Sequence, residues 1–155
     1  MDELTAEHRK LAAFAGLWIG DDIIHPAPWA PHGGTGTTTY TGRLALDGFV
    51  VIGDDVQVRP GLDNYLAHKV FGWDPLGRCY TFYLVDSTGQ APPAAALGVW
   101  EGDTVTFEQP TAHGRVRYRY TFDHERQYTF QMAVSADGAS WRPLIDGVYH
   151  RRDTP

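Results

Sequence analysis

The chain has 155 residues, a formal net charge of −6 and a hydrophobic share of 43%, with aromatic residues making up 13%. This length favours one domain with a sizeable core over residues 1–155, and the acidic balance argues against nucleic-acid binding, which needs clustered cationic side chains. Because no segment has the order of a signal peptide and no apolar run approaches a membrane span of roughly 20 residues, we expect a cytoplasmic protein with no membrane partner.

The first predicted element is a helix over residues 3–15. In LTAEHRKLAAFAG the apolar residues recur at helical spacing, Thr5 or Asp2 supplies the N-cap, and Gly16 ends the helix. A single short amphipathic helix must bury its apolar face against other elements, so we expect it to plug one end of the structure formed by the strands.

The next segment, residues 16–36, begins as a strand and becomes a proline-rich loop, HPAPWAPHGG. In that loop His25 and His32 flank Trp29. A stiff aromatic loop is suited to contacting a ligand at the mouth of a barrel, although a surface loop with Trp29 packed on the rim is also consistent. Two histidines without a dependable third ligand argue against zinc, so no metal site is predicted.

From here on the pattern has the period of two that is typical of half-buried strands. In RVRYRYTF, residues 115–122, three arginines alternate with valine and tyrosines, and YTFQMAVS repeats this alternation. Turn signals such as LDGF, WDPLG and ADG separate the runs. The predicted strands cover residues 17–25, 36–46, 49–58, 65–73, 78–86, 94–100, 103–108, 115–122, 127–135 and 140–150.

A meander of about ten antiparallel strands in a short chain buries one face best by curling into a barrel, which also removes exposed edges. We therefore predict an all-β antiparallel barrel over residues 16–152 with the helix at one end. The single cysteine, Cys79, excludes an internal disulfide and is interpreted as a small packing residue.

Two polar side chains are candidates for the barrel interior. If Lys69 points to water, then alternation turns His68 inward beside the tyrosines, where it serves as a ligand contact or an acid-base group; a structural core histidine is the alternative. Asp86 shares parity with Phe82 and Leu84, so its inward carboxylate is a candidate base; the alternative is that this aspartate at a strand end begins a turn. The acidic pairs Asp21–Asp22 and Asp54–Asp55 are interpreted as solvated strand ends.

Several stretches resemble known families. Gly16 and Trp18 resemble the Gly-x-Trp of the calycin-type barrels, which include the lipocalins. More specifically, HPAPWAPHGG, LDGFVV, FGWDPLGRCYTFYLVDSTG and SADGASWRPLIDGVYHR are similar in order to an uncharacterised bacterial family, domain of unknown function 1579. That resemblance implies a barrel and no established activity.

A more distant resemblance, through Gly16, Trp18 and Gly20, is to the nitrobindins, which bind haem in a ten-stranded barrel. Their haem is held by a histidine late in the chain. Here the late histidine is His150, whose parity places it on the outer face, so this resemblance supports haem binding weakly.

These observations favour a barrel that binds a small apolar or aromatic molecule; the sequence identifies no cofactor. A small barrel enzyme such as an isomerase, cyclase or hydrolase, a haem protein, and a structural domain or homodimer are the alternatives. The residues predicted to contact a ligand are Trp18, His25, Trp29, His68, Asp86, Tyr118, Tyr120, Tyr128 and Phe130.

Overall fold

The structure is a computed structural model that describes residues 3–91 and 94–153. It begins with a short helix, α1 (Ala6–Lys10), followed by a 3₁₀ turn (Leu11–Phe14). The ten strands are β1 (Gly16–Ile24), β2 (Gly34–Ala45), β3 (Val50–Val58), β4 (Tyr65–Asp74), β5 (Cys79–Asp86), β6 (Ala96–Glu101), β7 (Thr104–Thr111), β8 (Gly114–His124), β9 (Gln127–Ser135) and β10 (Arg142–Arg152).

Each strand pairs antiparallel with its neighbour in sequence, and β1 also pairs with β10, so the sheet closes into a barrel. The predicted ten-stranded meander with an N-terminal helix is thus confirmed. A bulge between Pro143 and Ile145 shifts the register of β10 against β9. Beyond this bulge Gly147 and Tyr149 are buried, whereas His150 is exposed.

The helical segment is shorter than the sequence predicts because its second half tightens into the 3₁₀ turn. Thr5 is the N-cap: its hydroxyl accepts from the backbone N–H of His8, and the His8 ring accepts from the Thr5 N–H at 3.2 Å. The alternative cap, Asp2, lies outside the described residues. No helix in residues 3–91 and 94–153 is long and apolar enough to cross a membrane.

The 3₁₀ turn inserts Leu11 and Phe14 into the adjacent end of the barrel, which we call the floor. The Phe14 ring stacks on Phe71 with centroids 3.9 Å apart, and both side chains are almost completely buried. Trp18 is also fully buried there, and its indole N–H donates to the Ala15 carbonyl at 3.1 Å. Stacked rings and satisfied polar groups leave the floor closed.

Candidate functional site

The opposite end of the barrel, which we call the mouth, is hollow. It opens between the loop after β1 and the loop after β3, and it holds a cavity of about 560 Å³. This volume lies inside the range of roughly 300–1,000 Å³ that is typical of small-molecule sites. Most of the wall is aromatic or aliphatic: Trp29, Leu62, Tyr65, Phe82, Leu84, Tyr118, Tyr120, Tyr128, Phe130, Met132, Leu144, Ile145 and Tyr149.

A buried ion pair is part of this wall. The Lys69 ammonium lies 2.5 Å from a carboxylate oxygen of Asp55, and the two side chains are only 13% and 10% exposed. Lys69 comes from β4 and Asp55 from the neighbouring β3. Four aromatic rings surround the ammonium at 5.7–6.0 Å from their centroids: those of Tyr40, Phe82, Tyr120 and Phe130.

Two opposing effects act on the pKa of Lys69. Burial lowers this pKa, but the Asp55 carboxylate raises it more, so the pKa lies well above its ordinary value of 10.5. The amine therefore stays protonated at neutral pH, and it acts as a charged hydrogen-bond donor rather than as a nucleophile.

A second buried carboxylate, Asp22, lies behind the cavity wall. One of its oxygens accepts from the Thr38 hydroxyl at 2.6 Å and from the Gln57 amide at 2.8 Å; the other accepts from the Tyr149 hydroxyl at 2.7 Å. The Tyr149 ring covers Gly20, where a Cβ atom would lie only 2.3 Å from it. All three donors to Asp22 are neutral groups that line the cavity.

Charged and aromatic groups also meet at the rim of the mouth. The Arg59 guanidinium lies 5.6 Å from the Trp29 ring and 5.8 Å from the Tyr65 ring, and it donates to the Asp63 carbonyl at 2.6 Å. The Tyr65 hydroxyl donates to Asp86 at 2.8 Å. Burial, followed by this bond to a carboxylate, raises the pKa of Tyr65 above its ordinary value.

One polar atom of the wall is left without a partner. In residues 3–91 and 94–153, the Tyr120 hydroxyl is the one fully buried side-chain nitrogen or oxygen with no hydrogen-bond partner. Burial raises the pKa of Tyr120, and the nearby Lys69 charge acts against that rise. The phenol is therefore neutral at physiological pH and keeps its proton available for donation.

Six of the predicted contact residues meet around the cavity: Trp29, Asp86, Tyr118, Tyr120, Tyr128 and Phe130. Two others lie elsewhere. Trp18 is buried in the floor, below the cavity, and His25 bonds to Asp146 at 2.6 Å without lining the cavity.

The predicted direction of His68 is wrong. Its side chain lies on the outer face, 49% exposed, with its ring nitrogen 2.7 Å from Asp54. Lys69 points inward instead, because β4 buries Ala67 and Phe71, which share its parity. Leu66, on the other face, is 48% exposed.

Asp22 and Asp55 are also misassigned by the sequence analysis, since both are buried rather than solvated. The signal that could have found them is the alternation of β1 and β3, in which Trp18 and Val51 mark the inward parity of Asp22 and Asp55. Charge alone misled the assignment because a buried charge that is paired or hydrogen-bonded is tolerated inside a protein.

A histidine-ligated haem does not fit this site. His150, the late histidine of the nitrobindin resemblance, is exposed on the outer face of β10. The described residues that line the cavity include no histidine and no cysteine. Nor do residues 3–91 and 94–153 contain a group of three or more His, Cys, Asp or Glu side chains arranged to hold a metal ion.

A family model described as "Protein of unknown function (DUF1579)" matches residues 3–151. The chain belongs to this family. No curated protein matches it. Among solved structures, Rv2717c from M. tuberculosis is similar at a TM-score of 0.70 and 14% identity, covering 97% of this chain and 100% of that one.

A second similar structure is the S-type phycobiliprotein lyase CPES from Guillardia theta, with a TM-score of 0.68 and 8% identity. It covers 97% of this chain and 95% of that chain. At these identities the two likenesses show a shared barrel fold and nothing about activity.

Proposed function

We propose that this DUF1579 barrel binds one small, neutral, largely aromatic molecule in the cavity at its mouth. The observation that carries the proposal is the cavity itself: about 560 Å³, open at the mouth and lined mostly by aromatic and aliphatic side chains, with a few polar groups converging on it. Apolar walls with a small number of placed polar groups are the usual construction of a small-molecule site.

The rim supports the same proposal. Trp29 is 44% exposed yet lines the cavity, and the Arg59 guanidinium lies over its ring. A partly exposed tryptophan at an opening loses further apolar surface to water when a ligand enters, which favours binding. The fold shared with a phycobiliprotein lyase is consistent with this role.

The small-barrel enzyme alternative has less support. Its candidate acid-base group was His68 or Asp86, and His68 lies on the outer face. The Asp86 carboxylate already accepts from the Tyr65 hydroxyl and from the Thr88 backbone. A binding role requires neither group to move a proton. A cytoplasmic location and a homodimer stay predictions.

The test is a titration with N-phenyl-1-naphthylamine, a neutral aromatic probe whose fluorescence rises in apolar surroundings. We expect saturable binding at one site in the unaltered protein. Leu84 lines the cavity on β5, so Leu84→Trp should fill part of it and weaken binding by about tenfold or more.

Leu97→Trp is the matched control because Leu97 lies on the outside of β6 and is 56% exposed. It should leave binding unchanged. The proposal is overturned if the unaltered protein gives no saturable signal, or if both variants, shown to be folded by circular dichroism, bind as the unaltered protein does.

A further inference from the structure

We infer that the inner end of the cavity is a binding site for a neutral carbonyl oxygen, with the Tyr120 hydroxyl and the Lys69 ammonium as its two donors. This inference rests on the proposed function and names the chemical class of the ligand: a flat aromatic ketone, quinone or aromatic amide.

The first step is the unpartnered state of Tyr120. Its side chain is 2% exposed, it lines the cavity, and its hydroxyl has no hydrogen-bond partner. Tyr40 provides the contrast: its ring lies 5.8 Å from the Lys69 ammonium, against 6.0 Å for Tyr120, but its hydroxyl donates to the Phe14 carbonyl at 2.8 Å. A buried polar group without a partner is costly, and a ligand atom that satisfies it gains that energy on binding.

The second step is the count of donors. An ammonium has three N–H groups, and the Asp55 carboxylate is its ion-pair partner. The phenol of Tyr120 adds an O–H donor beside it. Two carboxylates that line the cavity already accept from protein groups, Asp55 from Lys69 and Asp86 from the Tyr65 hydroxyl. The inner end of the cavity therefore has donors that need an acceptor. A ligand oxygen supplies that acceptor.

The third step is charge, which distinguishes a carbonyl from a carboxylate. The positive charge of Lys69 is already matched by Asp55, and Asp22 is a second buried carboxylate that accepts from the neutral groups of Thr38, Gln57 and Tyr149. A ligand carboxylate would be a third anion near a single ammonium, and it would lose its hydration on entry. A neutral oxygen accepts the same hydrogen bonds without either penalty.

The fourth step is the shape of the surroundings. The rings of Phe82 and Phe130 lie near the ammonium, with centroids 5.9 and 5.7 Å from it, and Tyr118 packs edge-on against Phe82 at 5.0 Å. Aromatic side chains favour stacked or edge-to-face contact with another ring. A carbonyl oxygen conjugated with a flat ring therefore reaches the donors while the ring contacts this wall.

The test compares three naphthalenes of nearly the same shape by competition with N-phenyl-1-naphthylamine: 2-acetylnaphthalene, its oxygen-free isostere 2-isopropenylnaphthalene, and the anion 2-naphthoate. We expect the ketone to bind about tenfold more tightly than the isostere and than the anion. In Tyr120→Phe this preference should fall to about threefold or less, whereas Tyr40→Phe should keep it.

The outcomes separate the inference from the proposed function. If the ketone and the isostere bind equally, or if 2-naphthoate binds most tightly, the carbonyl site is wrong while the binding function stands. An unchanged preference in Tyr120→Phe also overturns it. If neither the probe nor any naphthalene binds, the proposed function fails as well. Tyr120→Phe removes an unsatisfied hydroxyl, so the variant is expected to fold.

Discussion

The floor and the mouth of the barrel are built from the same ten strands, but their interiors are filled differently. At the floor, large rings meet directly: Phe14 stacks on Phe71, and Trp100 stacks on Phe122 with centroids 5.6 Å apart. Toward the mouth, Asp22 and Lys69 take inward positions, and their bonds to the wall hold the side chains against the strands.

This difference explains where the cavity lies. The interior of a barrel of this size is filled when bulky side chains from facing strands reach each other, as they do around Phe14. A polar side chain that bonds to its neighbouring strand does not reach across the barrel. The polar residues of the mouth therefore have two consequences, an open space and a set of hydrogen-bonding groups facing it.

The largest expected effect is at the floor. Phe14→Ala should lower the free energy of unfolding by about 4 kcal/mol because it leaves a void among packed rings. Phe130→Ala, at the mouth, should cost less than about 2 kcal/mol, since Phe130 is only partly buried and already faces the cavity. Denaturant unfolding of both variants makes the measurement. Equal losses would contradict the contrast between the two ends.

The ion pair should give the next largest effect. Lys69→Met leaves Asp55 buried without its cation, and we expect a loss of about 3 kcal/mol in the free energy of unfolding. The double variant Lys69→Met, Asp55→Leu should recover most of that loss because no charge stays unpaired. If the double variant is no more stable than the single one, the two groups are not coupled as the structure has them.

Alkaline pH should lower the free energy of unfolding through tyrosines at both ends of the barrel. Burial raises the pKa of Tyr118, at the mouth, and of Tyr80, at the floor, to about 12. Above pH about 10 the unfolded chain loses these protons while the folded chain keeps them, so stability is full below that pH and falls as pH rises toward about 12. The pKa of Lys69 is also raised, so its contribution to stability is likewise lost as pH rises.

The contribution of Tyr118 is separable by substitution. Between pH about 9 and about 12, Tyr118→Phe should lose less stability than the unaltered protein by about 2 kcal/mol. Urea unfolding at several pH values measures this difference. Parallel curves for the two proteins would show that Tyr118 is not buried as described.

The smallest expected effects concern single hydrogen bonds. Thr5→Ala removes the N-cap of α1 and should cost about 1 kcal/mol. Tyr120→Phe should cost nothing or stabilise the protein slightly, because the hydroxyl it removes has no partner. Thermal unfolding of the two variants compares them directly. A destabilisation by Tyr120→Phe as large as that of Thr5→Ala would show that its hydroxyl is bonded.

Much of the barrel was predictable from the sequence. Alternation in β8 and β9 and the turn signals located all ten strands to within a few residues, because hairpin chemistry and a period of two are local properties. The aromatic wall, including Tyr118 and Phe130, followed from the same alternation.

The polar part of the site was not predictable by the same means. In β3 and β4 apolar residues occupy both faces, so that Val56 and Leu66 point outward while Asp55 and Lys69 point inward. Charge is then a misleading guide to parity, since a partner on the neighbouring strand stabilises a buried charge. Only the pairing of the strands shows that such a partner exists.

The most direct test of the account is a crystal structure of the protein with 2-acetylnaphthalene. We expect the naphthalene ring in contact with Phe82 or Phe130 in the cavity at the mouth, its oxygen within hydrogen-bond distance of the Tyr120 hydroxyl, and the floor around Phe14 unchanged. A mouth filled by its own side chains, with the compound bound on the outer face or at the floor, would contradict the account.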